Sequence, residues 1–327
     1  MTGGRDYRLD LLRIIAASII VLRHSPMPGS APGMVMMGIS YFTEPGVGLF
    51  FMISGALLLN NTYRLGDLIK RRFSKILFPT LFWTVFYLVV SWIEAPLTLS
   101  ESVKIVMSIP FSAQGHGILW FMYALAGLYL LTPILSKWLS SVSKREVEFY
   151  LLLWGITLLY PYLSQVLFIN ETNTGVLYNF AGYSGYFLFG YYLRRYYNYR
   201  MFHVVLAVVI AIAFPALLFL SDQEFDYYSL LGNLSMPVVL MAFCWFVLIC
   251  RIPNRQNASI YEVSRLSFGI YLVHIFFMRE IVWNVGLIKN LPYMVQIPAI
   301  AVITFALSFA FSWLISRLPI SKYIIGA

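Results

Sequence analysis

Apolar positions in this chain do not alternate; they form continuous runs of about 18 to 25 residues from one end to the other, the length a helix needs to cross roughly 30 Å of hydrocarbon at about 1.5 Å per residue. Ten spans are predicted, over residues 9–25, 42–60, 76–94, 118–136, 148–168, 178–194, 202–221, 229–249, 264–285 and 294–316. They read as helices because hydrocarbon cannot satisfy stray backbone groups, and the runs are too long and too uniformly apolar for barrel strands. Little sequence is left between them. The expected fold class is therefore all-α, a polytopic integral membrane protein of one domain over residues 1–327 with no appended soluble domain. The first apolar stretch, Leu11 to Leu22, contains Arg13, runs into Arg23-His24 and lacks a small-residue cleavage site, so it is expected to stay as the first span.

Composition strengthens this picture: with 60% hydrophobic, 17% aromatic and 11% charged residues, there is too little polar surface to cover a water-soluble globule of this size. The cations then set an orientation. With the N-terminus inside, the clusters at Arg5 and Arg8, Lys70 to Lys75, Lys144 and Arg145, Arg194 and Arg195, Arg251 and Arg255, and Arg317 and Lys322 all fall on the cytoplasmic side. Only Lys104 and Lys289 fall outside, while Arg13, Arg23 and Arg279 lie within or at the rim of spans. Both termini are thus expected in the cytoplasm, with the chain in the inner (cytoplasmic) cell membrane. The net charge of +9 is then topology signal lying against anionic headgroups, and no nucleic-acid partner is implied. Cys244 and Cys250 imply no disulfide framework, and no Cys or His pair stands at a metal-ligand spacing, so no metal is expected. An acidic outer loop is expected around Asp222, Glu224 and Asp226, and an amphipathic surface helix over 99–111.

Ionisable groups inside spans cost about 2.5 to 3.5 kcal/mol each on insertion scales, which makes each a candidate for function. The first span holds the best set. Arg13 and His24 are eleven residues apart, within about 20° of three full turns, and Asp10 lies one turn before Arg13. The three share a face, with the imidazole about 16 Å from the guanidinium, like one wall of a channel. The plainer reading makes Asp10 and Arg13 a buried ion pair that locks helix packing, and His24 an interfacial cap. His24 is the side chain whose ordinary pKa, about 6.5, lets it accept a proton near neutrality. His116, in Gly115-His116-Gly117-Ile118-Leu119-Trp120, and His274, with Ser267 and Tyr271 on its helix face, approach the same outer half; each is either part of a site or a histidine bonded locally. Glu44 at the outer mouth of the second span either orients an imidazole or is simply solvated. Arg279 and Glu280 read as mutually paired or snorkelling, and His203 as a flank residue.

Lys70-Arg71-Arg72-Phe73-Ser74-Lys75, at the cytoplasmic start of the third span, is the densest basic patch. It either only marks topology or holds the phosphates of a nucleotide-like donor, with Arg13 extending it inward. Phe50-Phe51-Met52-Ile53-Ser54-Gly55 puts two small residues into the second span, for tight packing or for the passage of a thin ligand.

In order along the chain, Arg13-x10-His24, Phe50 to Gly55, Arg71-Arg72 through Lys75 to Pro79, His116 to Trp120, and Ser267 to His274 resemble the motifs of membrane-bound acyltransferase family 3. The resemblance covers the whole chain, departing in Lys75 where arginine is common. It implies transfer of an acyl group, usually acetyl, from cytosolic acyl-coenzyme A (acetyl-CoA) to a hydroxyl of an extracytoplasmic or lipid-linked saccharide. It further implies His24 as general base, with Asp10, Arg13, Glu44 and His116 around the reaction. Arg13, Ser54, Arg71, Arg72 and Lys75 would then hold the donor, and His116, Trp120, Tyr271 and His274 the acceptor. A covalent acyl-histidine relay fits the same residues. The main rival is a small-molecule or proton-coupled transporter, against which stand the absence of two similar halves and of paired interrupted helices; a non-catalytic scaffold would predict that His24 is dispensable.

Overall fold

The structure, a computed structural model, describes residues 5–94, 98–109, 111, 119–167, 175–220 and 226–326. His116, Asp222 and Glu224 lie outside the described residues. Helices supply the regular structure, and no strand occurs among the described residues. The longer ones are α1 (Tyr7–His24), α2 (Gly33–Thr43), α3 (Pro45–Leu58), α4 (Ser74–Glu94), α5 (Leu99–Ser108), α6 (Trp120–Leu139), α7 (Lys144–Thr157), α8 (Tyr160–Leu167), α9 (Ser184–Tyr196), α10 (Met201–Leu220), α11 (Met236–Arg251), α12 (Ala258–Phe276) and α13 (Tyr293–Ile315), followed by the short α14 (Ser321–Ile324).

Among the described residues, six helices are long and apolar enough to cross a membrane by length and composition: Gly33–Leu58, Ser74–Ile93, Trp120–Leu139, Met201–Leu220, Ala258–Asn284 and Tyr293–Ile315. The other four predicted spans differ for identifiable reasons. α1 has the length but carries Arg8, Asp10, Arg13 and Arg23. The run 148–168 is broken after Thr157 into α7 and α8. α9 and α11 have only 13 and 16 residues, about 20 and 24 Å of helix. The second span also begins earlier than residue 42. Pro45, the first residue of α3, needs no amide partner, so the chain passes from α2 into α3 through a helical Glu44.

The core is built around α3, eleven of whose residues are buried. It packs on α9 and α1; α1 packs in turn on α12 and α13, and α10 on α11. Glycine allows the closest approach. A Cβ on Gly55 would overlap the Phe187 carbonyl oxygen and lie 2.6 Å from its carbon, and one on Gly190 would lie 2.5 Å from the Met52 carbonyl carbon, so α3 and α9 touch backbone to backbone. Gly55 is therefore a packing residue.

Polar side chains gather at the two ends of α1. Asp6 caps the helix by accepting from the Arg8 amide at 3.1 Å and pairs with Arg8 and Arg194. Burial alone would raise the Asp6 carboxyl, but the hydrogen bond from Arg8 and the charge of Arg194 hold it below its ordinary value. Beside it, Arg8 Nη1 donates to the Cys250 carbonyl at 3.0 Å and Arg251 Nη1 to that of Tyr199 at 2.6 Å. At the far end, Arg23 pairs with Glu44 and donates to the Ser40 carbonyl at 3.0 Å. α5, the expected surface helix, is closed by a Thr98–Glu101 capping box and buries none of its residues. Cys244 and Cys250 are free and buried.

Candidate functional site

Four of the sequence motifs converge on one cavity of about 200 Å³. Arg13 enters it from α1, Ser54 from α3, and Lys75 from α4, with Arg72 from the π-turn Ile69–Phe73 just before α4. Ser267 and Tyr271 of α12 close another side. Arg265 adds a fourth cation, and no carboxylate is among the described residues that line the space. Phe50 and Phe121 form an aromatic wall, their ring centroids 5.8 Å apart, with Tyr271 5.3 Å beyond Phe121. Arg71 lies in the same turn as Arg72, whereas Lys70 faces a different cavity.

The Asp10–Arg13 ion pair of the plainer reading does not form. Arg5 folds back over the start of α1 and donates to both Asp10 oxygens, at 2.7 and 2.9 Å, and Ser264 Oγ donates to the same carboxylate at 2.9 Å. A buried carboxylate needs such partners. With Asp10 satisfied in this way, Arg13 is left to the cavity. Glu44 likewise is neither solvated nor oriented on His24; it is buried and holds Arg23.

His24 ends α1 half-buried, its ring centroid 5.5 Å from that of His274 at a tilt of 44°. His274 is wholly buried on α12, and its Nδ1 lies 2.5 Å from the carbonyl oxygen of Tyr271, one turn back on the same helix rather than on a neighbour. A carbonyl only accepts, so Nδ1 carries the proton and Nε2 the lone pair. Among the described residues that Nε2 has no hydrogen-bond partner. The Tyr271 ring is 5.7 Å from that of His274, so one residue touches both the cationic cavity and the imidazole pair.

Trp120 stands apart from the cavity lining, packed on Tyr183 at 5.2 Å. Arg279 lies over the Trp283 ring at 5.9 Å, and His203 Nδ1 meets the Tyr197 hydroxyl at 2.5 Å. Sequence reading missed Tyr129, Ser264, Arg265 and Gly326, all of which line the cavity. Arg265 was absorbed into the cytoplasmic charge pattern, and Tyr129 sits in a uniformly apolar run with no periodic signal to mark it.

Membrane-length apolar helices around a cationic cavity, with two imidazoles in contact at one side, define a multi-pass membrane protein with the equipment of a group-transfer enzyme. The chain belongs to the acyltransferase family whose model, described as an acyltransferase domain, matches residues 6–317, essentially its whole length. No curated protein and no solved structure matches it.

Proposed function

We propose that this acyltransferase moves an acyl group, acetyl first among them, from cytosolic acyl-CoA to a hydroxyl of an extracytoplasmic or lipid-linked glycan, from a seat in the inner cell membrane. In this reading α1, α7 with α8, α9 and α11 cross the bilayer beside the six longer helices, and both termini are cytoplasmic. The observation that carries the proposal is the cationic, carboxylate-free cavity joined through Tyr271 to the His24–His274 pair. At about 200 Å³ it falls below the roughly 300–1,000 Å³ of sites that enclose whole ligands. That suits a thin pantetheine arm, with the donor's phosphates at the mouth on Arg71, Arg72 and Lys75 and with Arg13 and Ser54 further in.

An alcohol is a weak nucleophile near neutral pH. His24 removes its proton as the oxygen attacks the thioester carbonyl carbon; the C–S bond breaks, and the leaving thiolate takes that proton back from the imidazolium. Base catalysis of this kind contributes about 10²–10⁴-fold. His116, Trp120, Tyr271 and His274 are assigned to the acceptor side. His274, its ring packed against that of His24, in addition holds that imidazole in place for the acceptor. Asp10 acts at one remove, by drawing Arg5 and leaving Arg13 to the donor.

Membranes carrying the chain are expected to transfer label from radioactive acetyl-CoA into glycan, and His24→Ala membranes with equal folded protein to transfer none. Equal transfer by both would remove His24 from the chemistry; no transfer by either, across several acyl donors and glycans, would return the transporter reading.

A further inference from the structure

A second cavity, of about 660 Å³, lies beside the donor cavity and is used by nothing described so far. Its cations come from two places distant in sequence, Lys70 and Lys75 around the start of α4 and Lys322 on α14. Its remaining lining is mostly apolar, including Phe73, Phe78 and Tyr323, and among the described residues no carboxylate contributes. Among the described residues none of the three ammonium groups is in an ion pair; Lys322 Nζ instead sits 4.7 Å over the Tyr323 ring. The three lysines are exposed and face one bowl, so an anion seated there would meet three positive charges at once.

The form of that anion follows from where the bowl opens. Phe78 is half exposed at its edge, and Phe82, Val85, Val89 and Trp92 continue from it at helical spacing as an exposed apolar stripe along α4, one of the membrane-length helices. A free phosphate or nucleotide has no use for such a stripe, whereas a phospholipid places its phosphate among lysines at the interface and its chains against the adjoining apolar face. We propose that this bowl is a specific site for an anionic phospholipid, with its phosphate among Lys70, Lys75 and Lys322 and its acyl chains along α4. Lys75 lines this cavity and the donor cavity alike, so an occupied lipid site stands directly against the mouth through which the donor enters.

The proposal depends on membrane placement and not on the acyl-transfer chemistry, so binding is the readout. The full chain, purified in mild detergent, is mixed with equal amounts of phosphatidylglycerol and phosphatidylcholine, and retained lipid is counted by native mass spectrometry. Wild type is expected to retain phosphatidylglycerol at least ten-fold over phosphatidylcholine. The Lys70→Gln/Lys322→Gln variant is expected to lose that preference at an unchanged thermal midpoint, and Lys322→Gln alone to lose part of it, which serves if the double variant does not fold. Equal retention of the two lipids by wild type, or an undiminished preference in the variants, would overturn the site. A third arm adds adenosine 3′,5′-bisphosphate to the Arg72→Gln variant, which weakens the proposed donor mouth without touching the bowl: no displacement is expected, and displacement of phosphatidylglycerol would make the bowl a nucleotide-phosphate site instead.

Discussion

Replacing Gly55 by alanine tests whether the Phe-Phe-x-x-Ser-Gly element joins a packing residue to a ligand-facing one. The new Cβ would lie 2.6 Å from the Phe187 carbonyl carbon, where unstrained carbon pairs sit about 3.5–4.0 Å apart. α3 and α9 must therefore part by about 1 Å. The obstructing atoms are backbone, so no rotamer change relieves the overlap, and Gly190 meets Met52 in the same way from the other side. Overpacking typically costs about 1–3 kcal/mol, and a backbone clash belongs at the upper end. Thermal unfolding in detergent, followed by tryptophan fluorescence, is the assay. Gly127→Ala and Gly155→Ala are the controls, since an added Cβ at either meets nothing within 4 Å; alanine is the better helix former there by up to about 1 kcal/mol, so these are expected to hold or raise the midpoint. Gly55→Ala and Gly190→Ala should each lower it, and Gly55→Ala should also weaken donor affinity because Ser54 moves with α3. Were Gly55→Ala to melt with the two controls, the backbone-to-backbone seam would be refuted.

Ser54→Ala, in contrast, is expected to fold like wild type and to raise the KM for acyl-CoA a few-fold; an unchanged KM would take Ser54 out of the donor path. Lys75→Ala should mainly raise the same KM, with kcat little changed in steady-state transfer assays. His274→Phe keeps an aromatic ring, somewhat larger, but removes the open Nε2, and a fall in kcat of about 10-fold or more with donor KM unchanged is expected; wild-type kcat would leave His274 a packing residue. Asp6 predicts a pH dependence. Its carboxyl is held below its ordinary value of 3.8 in the fold, so the stability it adds is present above that value and disappears as pH falls through the lower folded one. Asp6→Asn should accordingly melt below wild type at pH 7, and the two midpoints should converge as the pH drops below about 4.

How much of this was legible in the sequence depends on whether the signal was local. The shared face of Arg13 and His24 follows from helix geometry alone, and the structure puts Arg13 in the cavity with Ser54, Arg72 and Lys75. The partner of Asp10 was not legible. Arg13, one turn away, was the obvious choice, but the structure uses Arg5, which precedes the helix, together with Ser264 from a helix 254 residues on. Nor did the pattern reveal that Glu44 serves Arg23, or that the Tyr271 carbonyl fixes the His274 tautomer, because such pairings arise only when helices are brought together. Span boundaries failed where apolar runs cross a break: the second span is expected from residue 42, yet the apolar helix begins at Gly33 and runs on through Pro45.

Because Arg13 and His24 stand on one uninterrupted helix, the interval between the proposed donor anchor and the proposed reacting nitrogen is counted in residues and owes nothing to any loop. α1 acts as a gauge with both a length and a phase. One residue inserted between Ala17 and Ile20 would lengthen the interval by only about 1.5 Å but turn His24 by about 100° away from His274. Removing four residues, close to a whole turn, would bring the bearing back to within about 40° while drawing the imidazole about 6 Å toward Arg13. Length and phase can thus be altered separately in a single helix, and an enzyme whose chemistry depends on this gauge should respond differently to each.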